Sequence, residues 1–241
     1  FETLVAHHGS PFALARHYRR LEQGAQVVGL AIPDLSLLRG ACQEVLSTNC
    51  DQAPRARLRI TVAEASGGPV TTVTAVAIEP AAESVRVVFS PYCRNPRSAL
   101  AGVKATSYAE NSLALGEART RGADEAILAN TDGFLCEGTT SNVFLVRSGT
   151  ILTPPLSSGC LPGVTRGLVL ELAQEAGLAA LEEDLPCEAL AEAEEAFLTS
   201  ATRGVQAIRC ADGQDLSASP GEVTRRLQEA LEDLRGRNVD P

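Results

Sequence analysis

Apolar residues along the chain recur with two periods, and the alternation between them predicts most of the secondary structure. Leu14, Tyr18, Leu21 and Ala25 fall at three- and four-residue intervals and predict an amphipathic helix over residues 12–26. The same spacing predicts helices over 35–46, over 107–121 with Gly122 closing it, and over 220–235, where Val223, Leu227, Leu231 and Leu234 share a side. A further helix opens at 161–166 and carries Leu168, Leu172 and Ala176 in one stripe, with Gly177 where a C-terminal glycine belongs. Period-two or β-branched runs predict strands at 3–6, 58–62, 70–78, 125–129, 142–146, 150–153 and 194–198. Turn residues separate them at 8–11, 66–69 and 131–133, and Ser148-Gly149 makes a hairpin of the strands on either side.

This order implies an α/β (α+β) protein of two domains. The polar, proline-containing stretch 79–84 separates two β-rich runs and reads as a linker, so the expected division is 1–83, a small α+β domain, and 84–241, a larger one. With 241 residues and 44% hydrophobic content the chain can bury a sizeable core. A net charge of −9 with scattered arginines works against a nucleic-acid partner. No apolar run approaches a membrane span and the N-terminus lacks a signal-peptide pattern, so a cytoplasmic protein is expected. Seven widely spaced cysteines without a C-x-x-C pair suit a reducing compartment, and the histidines His7, His8 and His17 have no metal-ligand spacing around them. Because the chain contains no methionine, residues preceding Phe1 are expected.

Of the 21 basic residues, all but Lys104 are arginine. A surface position asks only for positive charge, whereas a primary amine can lose its proton, act as a base or form an imine with a carbonyl, none of which a guanidinium does. A lone surface lysine in an arginine-rich chain is the alternative. The flanking residues favour chemistry. Tyr108 lies four residues on, so a helix starting at the lysine would turn both side chains to one pocket. Glu137, at the end of an apolar strand in Phe134-Leu-Cys-Glu-Gly-Thr-Thr-Ser-Asn142, suits a protonated ring nitrogen. Gly163-Val164-Thr165 opens a helix after proline, where free N–H groups bind phosphate, and Ser200 in a small-residue turn offers another donor. Amine, carboxylate and phosphate cradle together are what pyridoxal phosphate requires.

The motifs Phe1-Glu-Thr3, His17-Tyr-Arg-Arg-Leu21, Leu100-Ala-Gly-Val-Lys-Ala-Thr-Ser-Tyr108, Glu137-Gly-Thr-Thr-Ser-Asn-Val-Phe144, Leu161-Pro-Gly-Val-Thr-Arg166 and Phe197-Leu-Thr-Ser-Ala-Thr202 resemble the fold-type IV (class IV) pyridoxal-phosphate enzymes, which include branched-chain and D-amino-acid aminotransferases and 4-amino-4-deoxychorismate lyase. The resemblance implies the two-domain fold-type IV architecture with the active site between the domains, a homodimer, a small-molecule amine or amino-acid substrate, and a strand or two before Phe1. It implies Lys104 as the Schiff-base lysine and proton carrier, Glu137 as partner of the pyridine nitrogen, and Tyr108 near the phenolic oxygen. Arg20 matches a phosphate-binding arginine, Val164 and Thr165 the helix-end cradle, Leu161 a residue against the ring and Ser200 a second phosphate loop. Ala201 departs from the pattern, since aminotransferases commonly carry threonine there. The resemblance assigns Arg203 no certain role.

Thr3 separates the reactions in this resemblance. Branched-chain aminotransferases carry glycine there, while the lyases carry a threonine that reaches the reacting centre. Residues 62–65 lack the T-R-G of D-amino-acid aminotransferases. The first expectation is therefore a lyase that converts 4-amino-4-deoxychorismate to p-aminobenzoate and pyruvate, with Lys104 and Thr3 catalytic. The alternative is an amino-acid aminotransferase, branched-chain or related. A cofactor-free aldolase would need the lysine but not Glu137 or the phosphate cradle, and a non-catalytic binding protein of this fold would hold cofactor without turnover.

Overall fold

Hydrogen bonds between distant segments decide how the chain divides. The computed structural model describes residues 1–241 and contains two compact units. One comprises Phe1–Pro80, Val103–Thr106 and Asp233–Pro241, the other Ala81–Gly102 and Ser107–Glu232. A single cut at 83/84 assigns Lys104 and the C-terminal residues to the larger unit, whereas both segments group with the smaller one. Two local attachments account for this. Lys104 O accepts the Phe1 N–H at 2.7 Å, and Asp240 accepts from Ala15 N and Arg39 Nη2, each at 2.8 Å.

In the first unit β1 (Glu2–His7) pairs antiparallel with both β2 (Ser10–Pro11) and β3 (Arg55–Ala65), and β3 pairs with β4 (Gly68–Ala77). Alternation along β1 and β3 puts Leu4, Ala6, Leu58 and Ile60 against Leu14 and Leu21 of α1 (Leu14–Val28) and Leu38, Cys42 and Leu46 of α2 (Leu35–Asn49). Asp34 caps α2 by accepting from Leu37 N. Ala13, at the start of α1, has no side chain able to cap it, so the carboxylate of Asp240 receives the Ala15 N–H instead.

The second unit is built on a mixed sheet of β5 (Ser84–Arg94), β6 (Glu125–Asn130), β7 (Leu135–Gly138), β8 (Asn142–Arg147), β9 (Thr150–Thr153), β10 (Ala180–Glu182), β11 (Glu195–Ser200), β12 (Gly204–Ala211) and β13 (Gln214–Asp215). Its spatial order is β10-β9-β8-β11-β12-β5-β6-β7, with β13 beside β12. β8 and β11 are nearly continuous apolar runs because both lie inside the sheet, and Phe144 and Phe197, opposite each other in register, stack at 4.9 Å. The helices are α3 (Ala109–Thr120), α4 (Val164–Glu175) and the part of α5 (Glu222–Arg237) up to Glu232. Glu195 caps α5 through Thr224 N and Thr224 Oγ1 at 2.8 and 2.7 Å. No helix is long and apolar enough to cross a membrane.

Candidate functional site

Lys104 does not lie on a helix. α3 starts at Ala109, with Tyr108 at its N-terminal boundary, and the preceding backbone makes a tight Ala105 N to Val103 O turn at 3.0 Å. The helical spacing expected to align Lys104 and Tyr108 is therefore absent, and the two residues belong to different units. Within the first unit, Lys104 Nζ lies 4.5 Å from the centroid of the Phe1 ring, and the Arg59 guanidinium lies 3.8 Å from the same centroid. Thr3 is the register partner of Arg59, so its side chain shares that face of the sheet. No sequence pattern marks Arg59. It faces outward between inward-pointing Leu58 and Ile60, a pattern equally expected of a solvated strand residue.

On the opposite face of β1, Glu2 is completely buried and takes three side-chain hydrogen bonds. Arg20 donates through Nε at 2.8 Å and Nη2 at 2.7 Å, and His17 Nδ1 lies at 2.7 Å. His17 and Arg20 are three residues apart on α1 and thus point the same way. Burial alone would raise the Glu2 carboxyl, but the Arg20 charge and the bonds from Arg20 and His17 outweigh it and hold the group well below the usual carboxylate range. Burial lowers His17 despite Glu2, so the imidazole is neutral near pH 7 and donates its Nδ1–H. A cavity of about 300 Å³ in this unit is bordered by Arg20, Lys104 and Thr106 and by the apolar Leu21, Val62 and Val103.

In the second unit Glu137 sits at the end of β7, 7% exposed, with both oxygens engaged. Arg94 Nε donates to one at 3.0 Å and Leu161 N to the other at 2.9 Å. Leu161 is fixed in turn, since its carbonyl accepts from Asn142 Nδ2 at 2.8 Å. Gly163 is needed beside this contact, because a Cβ there would collide with the Asn142 side chain. No side chain caps α4, and its first helical bond runs from Gly167 N to Gly163 O, which places the N–H groups of Val164, Thr165 and Arg166 ahead of the ladder. Ser200 ends β11, paired with Gly204, and Ala201 opens the turn that follows. The structure thus brings Glu137, Leu161, Val164 and Thr165 together and adds Arg94, which no sequence pattern marks.

The family profile described as amino-transferase class IV matches residues 1–210. The chain belongs to the class IV aminotransferases. A Methanocaldococcus jannaschii protein provisionally named as a branched-chain-amino-acid aminotransferase is 30% identical over 248 residues, covering 98% of this chain and 86% of that protein. The solved branched-chain amino acid aminotransferase of Escherichia coli superposes with a TM-score of 0.87 at 26% identity, covering 97% of this chain and 83% of the other. A Legionella pneumophila structure provisionally described as 4-amino-4-deoxychorismate lyase also gives a TM-score of 0.87, over 96% of this chain and 89% of that one. Its 21% identity shows a shared fold alone.

The protein is therefore a pyridoxal-phosphate-dependent enzyme of fold type IV. The residues present fit that cofactor. Lys104 is the one ε-amine in the chain, Glu137 is a carboxylate fixed from two sides, and α4 presents an uncapped N-terminus to an anion.

Proposed function

We propose that the protein is an amino-acid aminotransferase that moves the amino group of a branched-chain or related aliphatic amino acid to a 2-oxo acid. The observation that carries this reading is the Phe1 ring with Arg59 and Lys104 both against it. Arg59 makes no ion pair with an acidic side chain, so a guanidinium suited to a substrate carboxylate lies beside the chain's single ε-amine. Amino-acid donor and oxo-acid acceptor each bring such a carboxylate. The branched-chain preference is taken from the names of the relatives.

When bound, pyridoxal phosphate supplies an aldehyde for the amino group and an electron-poor ring for the electron pair left behind when a proton leaves Cα. In this reading Lys104, the chain's one ε-amine, would be the residue that holds the cofactor through its aldehyde, and as a free amine it would be the group that carries a proton. Glu137, oriented by Arg94 and Leu161, would hold a proton on the ring nitrogen, and Tyr108 and Leu161 are the residues that the resemblance assigns to the phenolic oxygen and the ring face. Within the second unit Val164, Thr165 and Ser200 would hold the phosphate, while Ala201 adds no hydroxyl to that set; Arg20, which the resemblance gives a phosphate role, has its Nε and Nη2 engaged by Glu2.

The lyase stands second, supported by Thr3, whose hydroxyl lies on the same face as Phe1 and Arg59. One experiment separates them. The cofactor-loaded protein is given leucine, isoleucine or valine with 2-oxoglutarate and, separately, 4-amino-4-deoxychorismate. Glutamate is expected from the first set. Formation of p-aminobenzoate without glutamate would put the lyase first. We also infer a homodimer, supported by the family and by the exposed Val70 and Val76 on β4. Sedimentation is expected to give twice the chain mass, and a stable monomer with full activity would contradict this.

A further inference from the structure

Glu125 and Arg203 have no part in the site as described, yet they join its two loops in the second unit. Glu125 on β6 is 1% exposed and gathers donors from the loop that follows Glu137. Thr139 gives its N–H at 3.1 Å and its hydroxyl, Thr140 its hydroxyl at 2.9 Å, and Ser141 a longer contact at 3.5 Å. Arg203 reaches the same carboxylate with Nη2 at 2.6 Å and also donates to Thr140 Oγ1 at 2.7 Å. Its other end is directed at Ser200, since both its backbone N and its Nε lie 3.3 Å from Ser200 Oγ.

This arrangement fixes the polarity of the Ser200 hydroxyl. Backbone N–H and guanidinium N–H groups only donate, so Ser200 Oγ must accept from both, and its single hydrogen is left to donate elsewhere. A hydroxyl held as a donor suits an anion and disfavours a partner that itself donates. Ala201 brings no hydroxyl beside Ser200, and Ser200 is the hydroxyl in this segment that Arg203 contacts.

We propose that Arg203 is a positioning residue that sets Ser200 as a donor to the cofactor phosphate and ties that segment, through Glu125, to the loop that follows Glu137. The proposal rests on the reading of Ser200 as a phosphate contact. It makes Arg203 matter for recognition of the phosphate and not of the ring.

The test compares binding of pyridoxal 5′-phosphate with that of pyridoxal, which has the same ring and aldehyde but no phosphate, by absorbance titration of the intact protein. In Arg203→Lys a cation remains for Glu125, but an ammonium cannot also replace the Nε donor that reaches Ser200. Ser200→Ala is expected to cut the preference for the phosphorylated form on the order of 10-fold, the size of one lost hydrogen bond, and Arg203→Lys, which keeps the backbone N–H donor to Ser200, by a smaller factor of about 3. Pyridoxal affinity should stay unchanged, and the double variant should lose no more than Ser200→Ala alone. If Arg203→Lys folds poorly, Glu125→Gln combined with Arg203→Gln removes both charges and carries the same expectation.

An unchanged preference in Arg203→Lys would overturn the proposal, as would an equal weakening of both ligands. A wild-type protein without any preference for the phosphate would instead overturn the reading of Ser200 on which the proposal depends, and the proposal with it.

Discussion

Lys104→Arg is expected to give a folded protein that has lost both transamination and covalent attachment of the cofactor. The positive charge against the Phe1 ring is kept, because a guanidinium packs on an aromatic face as readily as an ammonium does. The chemistry is not kept. A guanidinium neither condenses with an aldehyde nor carries a proton near neutral pH, and loss of the proton carrier alone is worth about 10²–10⁴-fold in rate. Loss of the anchoring amine adds to that. Borohydride reduction of the loaded wild-type protein, followed by peptide mass mapping, should place a pyridoxyl group on Lys104. The variant has no ε-amine left to label. A variant retaining wild-type turnover, or a wild-type label on no lysine peptide, would remove the basis for assigning Lys104 as the catalytic amine.

The elements with a clean period are legible in the amino-acid sequence alone. α1 spans 14–28 against an expected 12–26, β9 coincides with the strand expected at 150–153, and Ser148 and Gly149 take positive φ as their hairpin requires. β12 is not legible in this way because its run is broken by Gln206 and Arg209. Gln206 is buried all the same, since Ala82 O accepts from its amide at 2.7 Å, and a polar residue satisfied in this way looks from sequence like a loop. The helical spacing from Lys104 to Tyr108 misleads for the converse reason. Four residues apart implies one face only where the backbone is helical, and here it is not.

Much of the family motif is visible as residue types, but the residues that hold those types in place are not. Arg94 orients Glu137 from 43 positions away, and Arg203 reaches Glu125 across 78. Such pairs depend on strand order and register, which no local pattern encodes. Preference between reactions is lost at the same level. Thr3 alone favours the lyase, whereas the identity spread over 98% of the chain follows a relative with an aminotransferase name. One hydroxyl near a reacting centre does not determine which carbon receives the proton.

The second large effect is expected at Glu2. Glu2→Gln removes the carboxylate that a 10% exposed Arg20 side chain and a buried His17 share, and breaking a buried ion pair from one side typically costs about 3–5 kcal/mol. Its pH dependence separates the two partners. The carboxyl of Glu2 is depressed in the folded protein, so its stabilisation is complete above the ordinary value of 4.5 and is lost as pH falls below it. His17 is also depressed. Below its ordinary value of 6.5 the unfolded chain therefore takes up a proton that the folded chain refuses, and stability declines from that pH downward. Urea midpoints of the intact wild-type protein should fall in two stages, first below about pH 6.5 and then further below about 4.5. His17→Asn, which keeps an N–H donor for Glu2 but does not titrate, should lose the first stage. Glu2→Gln should start from a lower midpoint at pH 7 and lose the second stage, while still taking the pyridoxyl label on Lys104. A Glu2→Gln protein as stable as wild type at pH 7 would mean that the Glu2–Arg20–His17 cluster does not hold α1 against β1.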